Sequence, residues 1–345
     1  MHKHTASRHL SSRIMQICIC FILAVVSFLL GYGIYYATKV EQFVSVSTNQ
    51  QVQVTPSVAT LPNQQNILLL GSDNDQKFTG NPLTQTMLVV HIDYQKKEVD
   101  MFSIPRDLWV KMPGSDTYAK IDQASEYQGI PSAVRVVEDT FGIPIDHYGW
   151  VGLYGFIKSI DAVGGVNLDI THPILDNSYP TDINNPNPYG YQRLDIEPGL
   201  QHLNGEQALQ YVRSRHEDLL GDFGRTERQR QLLNSLKQTI FSSPASIFDI
   251  PSIFDALKGQ IKTNVTPTLG LQLGYFYIAN RNTLIQKEFA LLPPKYSKDG
   301  TSTDGQSIVI ADPGATADLV GSIFGNDAAK TTFKSLSSES DIETQ

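Results

Sequence analysis

The sequence predicts an α/β domain: a layered central β-sheet flanked by helices, preceded by one N-terminal transmembrane helix. Three observations predict it. From Asn66 onward, short apolar runs of strand length alternate with longer stretches of helical period, as expected of sheet and helix layers sharing a core. Residues 14–36, IMQICICFILAVVSFLLGYGIYY, carry no charge and are long enough to cross a bilayer at about 1.5 Å per residue. Cys18 and Cys20 both lie in that run, so the rest of the chain has no disulfide frame and must rely on its core.

Lys3, Arg8 and Arg13 precede the apolar run without an acid, while Lys39 and Glu41 behind it nearly cancel. Positive-inside bias assigns 1–13 to a cytoplasmic tail, 14–37 to a single-pass anchor in the cell membrane, and the remainder to the extracytoplasmic side. A cleaved signal peptide fits less well, because the run exceeds the usual apolar length and no small-x-small cleavage site follows. Residues 38–65, rich in Gln, Thr, Ser and Val, read as a stalk. The domain proper is assigned to 66–335, and the acidic end, 336–345, to a frayed tail. Within the domain, strands are predicted at 66–71, 86–93, 98–104, 166–170, 284–292 and 307–311. Helices are predicted at 131–141, 152–163, 204–213, 225–241, 244–261, 268–281 and 315–324. Asn204 is a good N-cap for the third of these, with Gln207 at its third helical position. The segment PTDINNPNPYGYQRLDIEPG reads as a long loop or hairpin in which Asp182, Asp195 and Glu197 form turns.

With Lys3, Arg8 and Arg13 set aside, residues 38–345 carry 24 basic and 35 acidic residues, a balance of −11. Such a surface argues against nucleic acid as a partner, since that binding needs a basic footprint. The chain has no G-x-S-x-G elbow, P-loop or H-E-x-x-H, which removes acyl-transfer and zinc-protease readings. Its eight histidines are dispersed without metal-ligand spacing and read as structural or surface groups.

On this acidic body Arg213, Arg215, Arg225, Arg228 and Arg230 fall within eighteen residues of the stretch YVRSRHEDLLGDFGRTERQR. The stretch GRTERQRQLLNSLKQTI reads as an amphipathic helix with Leu232, Leu233, Leu236 and Ile240 towards the core. Arg225 and Arg228 stand in its first turns, where the helix dipole is already positive. Cations there make sense if an anion is bound by them and by free backbone N–H groups. Arg225 and Gln229 are i,i+4 neighbours that run into the leucine stripe and point inward. Arg213 and Arg215 project to one face if the chain is extended beyond helix 204–213, and Asp222 is placed to orient guanidinium groups. A solvated charge run is the bland reading of the cluster. Two further segments oppose it. In FSIPRDLWV, Pro105 ends strand 98–104 and leaves Arg106 and Asp107 at a strand end, where α/β proteins bind ligands. In NILLLGSD, a buried strand reaches a turn at Gly71 and exits at Asp73. Together these residues suggest one polyanion site to which a metal could belong, and arginine forks suit phosphate better than lysine does.

The segments NILLLGSD, TQTMLVVHID, FSIPRDLWV, a KID stretch, GIPIDHYGWVGLYGFIKSIDAVGGVNLDI, GLQHLNGEQALQYVRSRH and GDFGRTERQRQLL run in this order across residues 66–240. In that combination the chain resembles the LytR-CpsA-Psr family. The resemblance implies a membrane-anchored phosphotransferase of the bacterial envelope. Such an enzyme moves a glycopolymer from a polyprenyl-pyrophosphate carrier to peptidoglycan and forms a phosphodiester at a muramic-acid hydroxyl. It also implies a hydrophobic channel for the prenyl chain and a magnesium or manganese ion bridging the pyrophosphate. The glycan-bearing carrier, peptidoglycan and membrane lipid are then the partners. Carried over by position, Asp73 matches a metal-linked aspartate and Arg106, beside Asp107, matches the pyrophosphate-binding arginine of S-I-P-R-D. Arg213 and Arg215 match an R-x-R pair, and Asp222, Arg225 and Gln229 match D-F-G-R-x-x-R-Q, whose arginine and glutamine face the head group. Asp73, Arg106 and Arg225 are the catalytic set that the resemblance implies.

One segment departs from the family pattern. Where R-[ST]-D-[TS] is expected, the chain has Leu83-Thr84-Gln85-Thr86. Gln85 thus stands, with Asp73, in a metal-ligand position, but its amide adds no charge, and Leu83 removes one phosphate-binding cation. This departure keeps two other functions open: a non-catalytic receptor for polyprenyl-phosphate lipid or wall glycan, and a lipid-carrier pyrophosphatase that uses water as the acceptor.

Overall fold

The computed structural model describes residues 62–72, 81–181, 190–214, 221–241 and 259–325. Its centre is a six-stranded mixed sheet in the order β11 (Ile261–Thr263), β6 (His147–Val151), β1 (Gln64–Ser72), β2 (Thr84–Asp93), β3 (Glu98–Ile104) and β12 (Ile285–Ala290). β1–β2, β2–β3 and β11–β6 are antiparallel, whereas β1–β6 and β3–β12 are parallel. Four two-stranded ribbons surround it. They are β4 (Trp109–Lys111) with β5 (Tyr118–Lys120), β7 (Val166–Ile170) with β10 (Gly199–Leu203), β8 (Ile174–Pro180) with β9 (Tyr191–Ile196), and β13 (Ser297–Thr301) with β14 (Ser307–Ala311).

Seven α-helices lie in the described residues: α1 (Ala124–Gln128), α2 (Ile130–Phe141), α3 (Leu153–Ala162), α4 (Gly205–Arg213), α5 (Gly221–Phe241), α6 (Pro267–Asn280) and α7 (Pro313–Phe324). α2 starts with Pro131 in its first turn and stops at Gly142, whose left-handed φ of 64° suits a residue without a Cβ. α7 is capped by Asp312, whose Oδ1 accepts from the Ala315 N–H at 2.7 Å.

The two faces of the central sheet differ. On one face Leu68, Leu70, Met87, Val89 and Phe102 are fully buried in a core with α2 and α7. Phe102 meets the rings of Phe141 and Phe324 edge-on, with centroids 5.2 and 6.1 Å away, and so ties both helices to the sheet. Each such side chain contributes about 1.5–3 kcal/mol by burial. On the opposite face, register puts Leu69 beside Leu88 and Gly149, and Val90 beside Met101. Leu69 is 38 % exposed although its strand is central, and Leu88, Val90 and Met101 are only half-buried. A second core joins α3 and α4 to β7–β10, with Leu232 of α5 inserted into it.

Several sequence expectations need correction. Residues 66–71 belong to a longer β1 that starts at Gln64, two residues inside the segment read as stalk. The helix expected from 225 begins at Gly221, because the glycines in GDFG do not interrupt it. Leu233 is 45 % exposed, so the inward stripe is narrower than expected and rests on Leu232 and Leu236. Of the expected helix 244–261, residues 244–258 lie outside the described set, and Ile261 is in β11. The apolar span 14–37 and the tail 336–345 also lie outside the described residues.

Candidate functional site

The C-terminal ends of β1 and β3 and the start of β2 meet at one end of the sheet. The β1–β2 register slips there: Gly71 pairs with Thr86 and Ser72 with Thr84, which leaves Gln85 as the extra residue of a β-bulge. A bulge of this kind re-aims a side chain out of the ladder. Gln85 reaches Arg106, two residues beyond the end of β3, and its amide oxygen accepts from Arg106 Nη1. Arg106 Nε donates to Asp107 Oδ2 at 3.3 Å, and Lys120 Nζ donates to Asp107 Oδ1 at 2.8 Å. The guanidinium is therefore held on two sides by side chains that are themselves held.

The backbone beneath is fixed as well. Arg106 O accepts from the Asp122 N–H at 3.2 Å, and Asp122 O accepts from Thr84 Oγ1 at 3.1 Å. Asp122 follows β5 in a single 3₁₀ turn, Ile121–Gln123, and is 4 % exposed, with no hydrogen-bond partner for Oδ1. Burial is the main force that pushes its carboxyl up to about 6; Arg106 opposes the shift and Asp107 adds to it. Lys120 and Asp122 are functional-site neighbours that the sequence alone does not assign to the site. Their two-residue spacing in YAKID was the available signal, but it carries no information about which strand end they reach.

A second hydrogen-bonded cluster lies around Ser214. α4 begins with a full capping box: Asn204 Oδ1 accepts from the Gln207 N–H at 2.9 Å, and Gln207 Oε1 accepts from the Asn204 N–H at 3.1 Å. Gly205 lets α4 approach α3, since a Cβ at that position would stand 2.2 Å from the Ile157 carbonyl oxygen. α4 ends at Arg213, and Ser214 leaves it with an extended ψ of 139°. Arg228, 2 % exposed, donates from Nη2 to Ser214 O at 2.6 Å, and Ser214 Oγ donates to Asp176 Oδ2 at 2.9 Å. Tyr211 OH donates to Gln231 Oε1 at 2.6 Å, so α5 is pinned to the last turn of α4. The helix begins earlier than expected, which places Arg228 beyond its first turns, and its guanidinium holds a main-chain carbonyl within the protein.

The structure thus brings Gln85, Arg106 and Asp107 into one cluster and fixes the main chain beyond Arg213 in another. Gln229 is half-buried on α5. Asp73 and Arg215 lie outside the described residues, as do the side chains of Asp222 and Arg225. The described histidines fit their structural reading. His91, at the far end of the sheet, pairs through Nδ1 with Asn66 Oδ1 at 2.7 Å, and His202 pairs with Asn167 at 2.9 Å.

Gln85 does not fit the metal-ligand position expected of it. Its amide oxygen faces a guanidinium, a positive charge that would repel an incoming cation. Among the described residues no group of three or more His, Cys, Asp or Glu side chains is arranged to hold a metal ion.

Comparison with known proteins agrees with the architecture. The chain is 32 % identical over 275 residues to the polyisoprenyl-teichoic acid–peptidoglycan teichoic acid transferase TagV of Bacillus subtilis, covering 78 % of this chain and 68 % of that protein. It is 33 % identical over 202 residues to the transferase of the same description, TagU, of Bacillus mycoides, covering 58 % of this chain and 60 % of that protein. The crystal structure of B. subtilis TagV superposes with a TM-score of 0.61 at 29 % identity, covering 77 % of this chain and 98 % of that one. The sequence model of one family matches residues 31–308, and on that match the chain belongs to the LytR-CpsA-Psr family.

Proposed function

We propose that this protein is a membrane-anchored phosphotransferase that moves a glycopolymer from a polyprenyl-pyrophosphate carrier to peptidoglycan. The observation that carries the reading is the meeting of an arginine fork with an apolar floor. Arg106, held by Gln85 and Asp107, stands at the end of the sheet towards which the half-open face of Leu69, Leu88, Val90 and Met101 runs. A lipid pyrophosphate asks for that combination: cations for the head group and apolar surface for the chain. The names of TagV and TagU describe the same class of transfer for those relatives.

The chemistry follows from charge. An acceptor hydroxyl oxygen on peptidoglycan attacks the glycan-linked phosphorus and forms a new P–O bond. The bond from that phosphorus to the bridging oxygen breaks, polyprenyl phosphate leaves, and the hydroxyl proton passes to a base or to water. Phosphoryl transfer depends on positioning and neutralisation more than on a special nucleophile. In this reading Arg106, Arg213, Arg215 and Arg225 take up the charge of the pyrophosphate, Gln229 donates to its oxygens, and Asp222 orients a guanidinium. Lys3, Arg8 and Arg13 before an uncharged span support an anchor with its N-terminus inside.

The departure at Gln85 favours a second reading, a binding homologue that retains carrier lipid without transfer. Incubating the protein with a labelled carrier and peptidoglycan separates the readings. Label in peptidoglycan together with released polyprenyl phosphate supports transfer; glycan phosphate in solution indicates a pyrophosphatase; unchanged carrier indicates a receptor.

A further inference from the structure

We propose that Gln85 is a positioning residue that aims the Arg106 guanidinium at an incoming pyrophosphate without neutralising it. The inference rests on the reading of Arg106 as a pyrophosphate ligand. Three observations carry it. The β1–β2 register slips between Gly71 and Ser72, which sets Gln85 at a β-bulge beside the end of β3. Its amide oxygen accepts from Arg106 Nη1, while Asp107 takes Nε at 3.3 Å. Asp107 is also shared with Lys120 at 2.8 Å, so one carboxylate already answers two cations in this cluster.

A second carboxylate at position 85 would hold the guanidinium equally well. It would also cancel the charge that an anion needs, and a phosphate would have to compete with it. A neutral amide orients the fork without adding a negative charge beside it. Orientation matters because an arginine fixed before binding gives up less conformational freedom when the ligand arrives. Gln85 therefore substitutes arginine placement for metal coordination at this end of the sheet.

The test is a double-mutant cycle on the full-length protein in detergent, read as binding of farnesyl pyrophosphate in the presence of a chelator. Circular dichroism and melting temperature confirm that each variant is folded. Arg106→Ala should lower affinity by on the order of tenfold or more, as expected for a lost charge-assisted bond. Gln85→Leu should lower it by about threefold to tenfold in the wild-type background and leave it unchanged in the Arg106→Ala background. Gln85→Glu should also weaken binding, because its charge competes for Arg106. Two results overturn the proposal: a Gln85→Leu effect of equal size with and without Arg106, or Gln85→Glu binding as tightly as wild type. If Arg106→Ala binds like wild type, the anion-site reading itself falls, and the cycle makes that failure distinguishable.

Discussion

Replacing Asp122 with asparagine should stabilise the protein at neutral pH, even though aspartate is the native residue. The carboxyl is buried beneath Arg106, and one oxygen has no hydrogen-bond partner. Burial raises its pKa from 3.8 to about 6. At about 1.4 kcal/mol per unit, keeping it ionised at pH 7 costs the fold about 3 kcal/mol. The sign follows from proton counts. Between about 4 and 6 the folded state holds the proton and the unfolded state has lost it, so stability falls as pH rises through that window. Asparagine has nothing to lose there. Urea unfolding of both proteins at pH 4 and pH 7 isolates the effect, because the other titrating groups cancel in the difference. The variant should gain about 2–2.5 kcal/mol over wild type between the two pH values; the cost of any unsatisfied amide hydrogen is the same at both and cancels. A difference that does not change with pH would refute the reasoning, since it would mean the carboxylate is already solvated or paired when ionised.

Arg228→Ala should destabilise the protein by about 1–3 kcal/mol in denaturant titration, because the buried Ser214 carbonyl loses its donor; a change below about 0.5 kcal/mol would contradict the clamp. His91 is held below its ordinary pKa chiefly by burial, so its neutral form stabilises the fold above about 6.5 and that contribution is lost on acidification. His91→Gln should accordingly flatten the acid limb of the stability curve, and an unchanged limb would exclude His91 as its source. Protease added to intact spheroplasts should digest the domain, whereas full protection of residues 66–345 would reject the orientation.

Much of the fold was legible because burial imposes periodicity. The strands at 98–104, 166–170 and 307–311 have the predicted bounds, and the Asn204–Gln207 pair forms the capping box its spacing predicts. HYGWV escaped because its five residues, interrupted by glycine, are too short to establish a period, although β6 is a core strand. β4 and β5 have three residues each and are defined only by their pairing. In the site, sequence identified Arg106 and Asp107 from a strand end, but the register at Gln85 depends on a bulge that no local pattern encodes. The family pattern sets Gln85 at a metal-ligand position, and nothing in that pattern shows its bond to an arginine 21 residues away. By its place near a predicted helix start, Arg228 would face solvent or an anion. An earlier helix start and the carbonyl of Ser214, just beyond the end of the neighbouring helix, make it a buried clamp.

The most direct test of the central claim is a crystal structure of the protein with a bound polyprenyl-pyrophosphate glycan. The account predicts the pyrophosphate against the Arg106 guanidinium and the prenyl chain lying over Leu69, Leu88 and Met101. A head group bound elsewhere, with Arg106 still holding only Gln85 and Asp107, would contradict it.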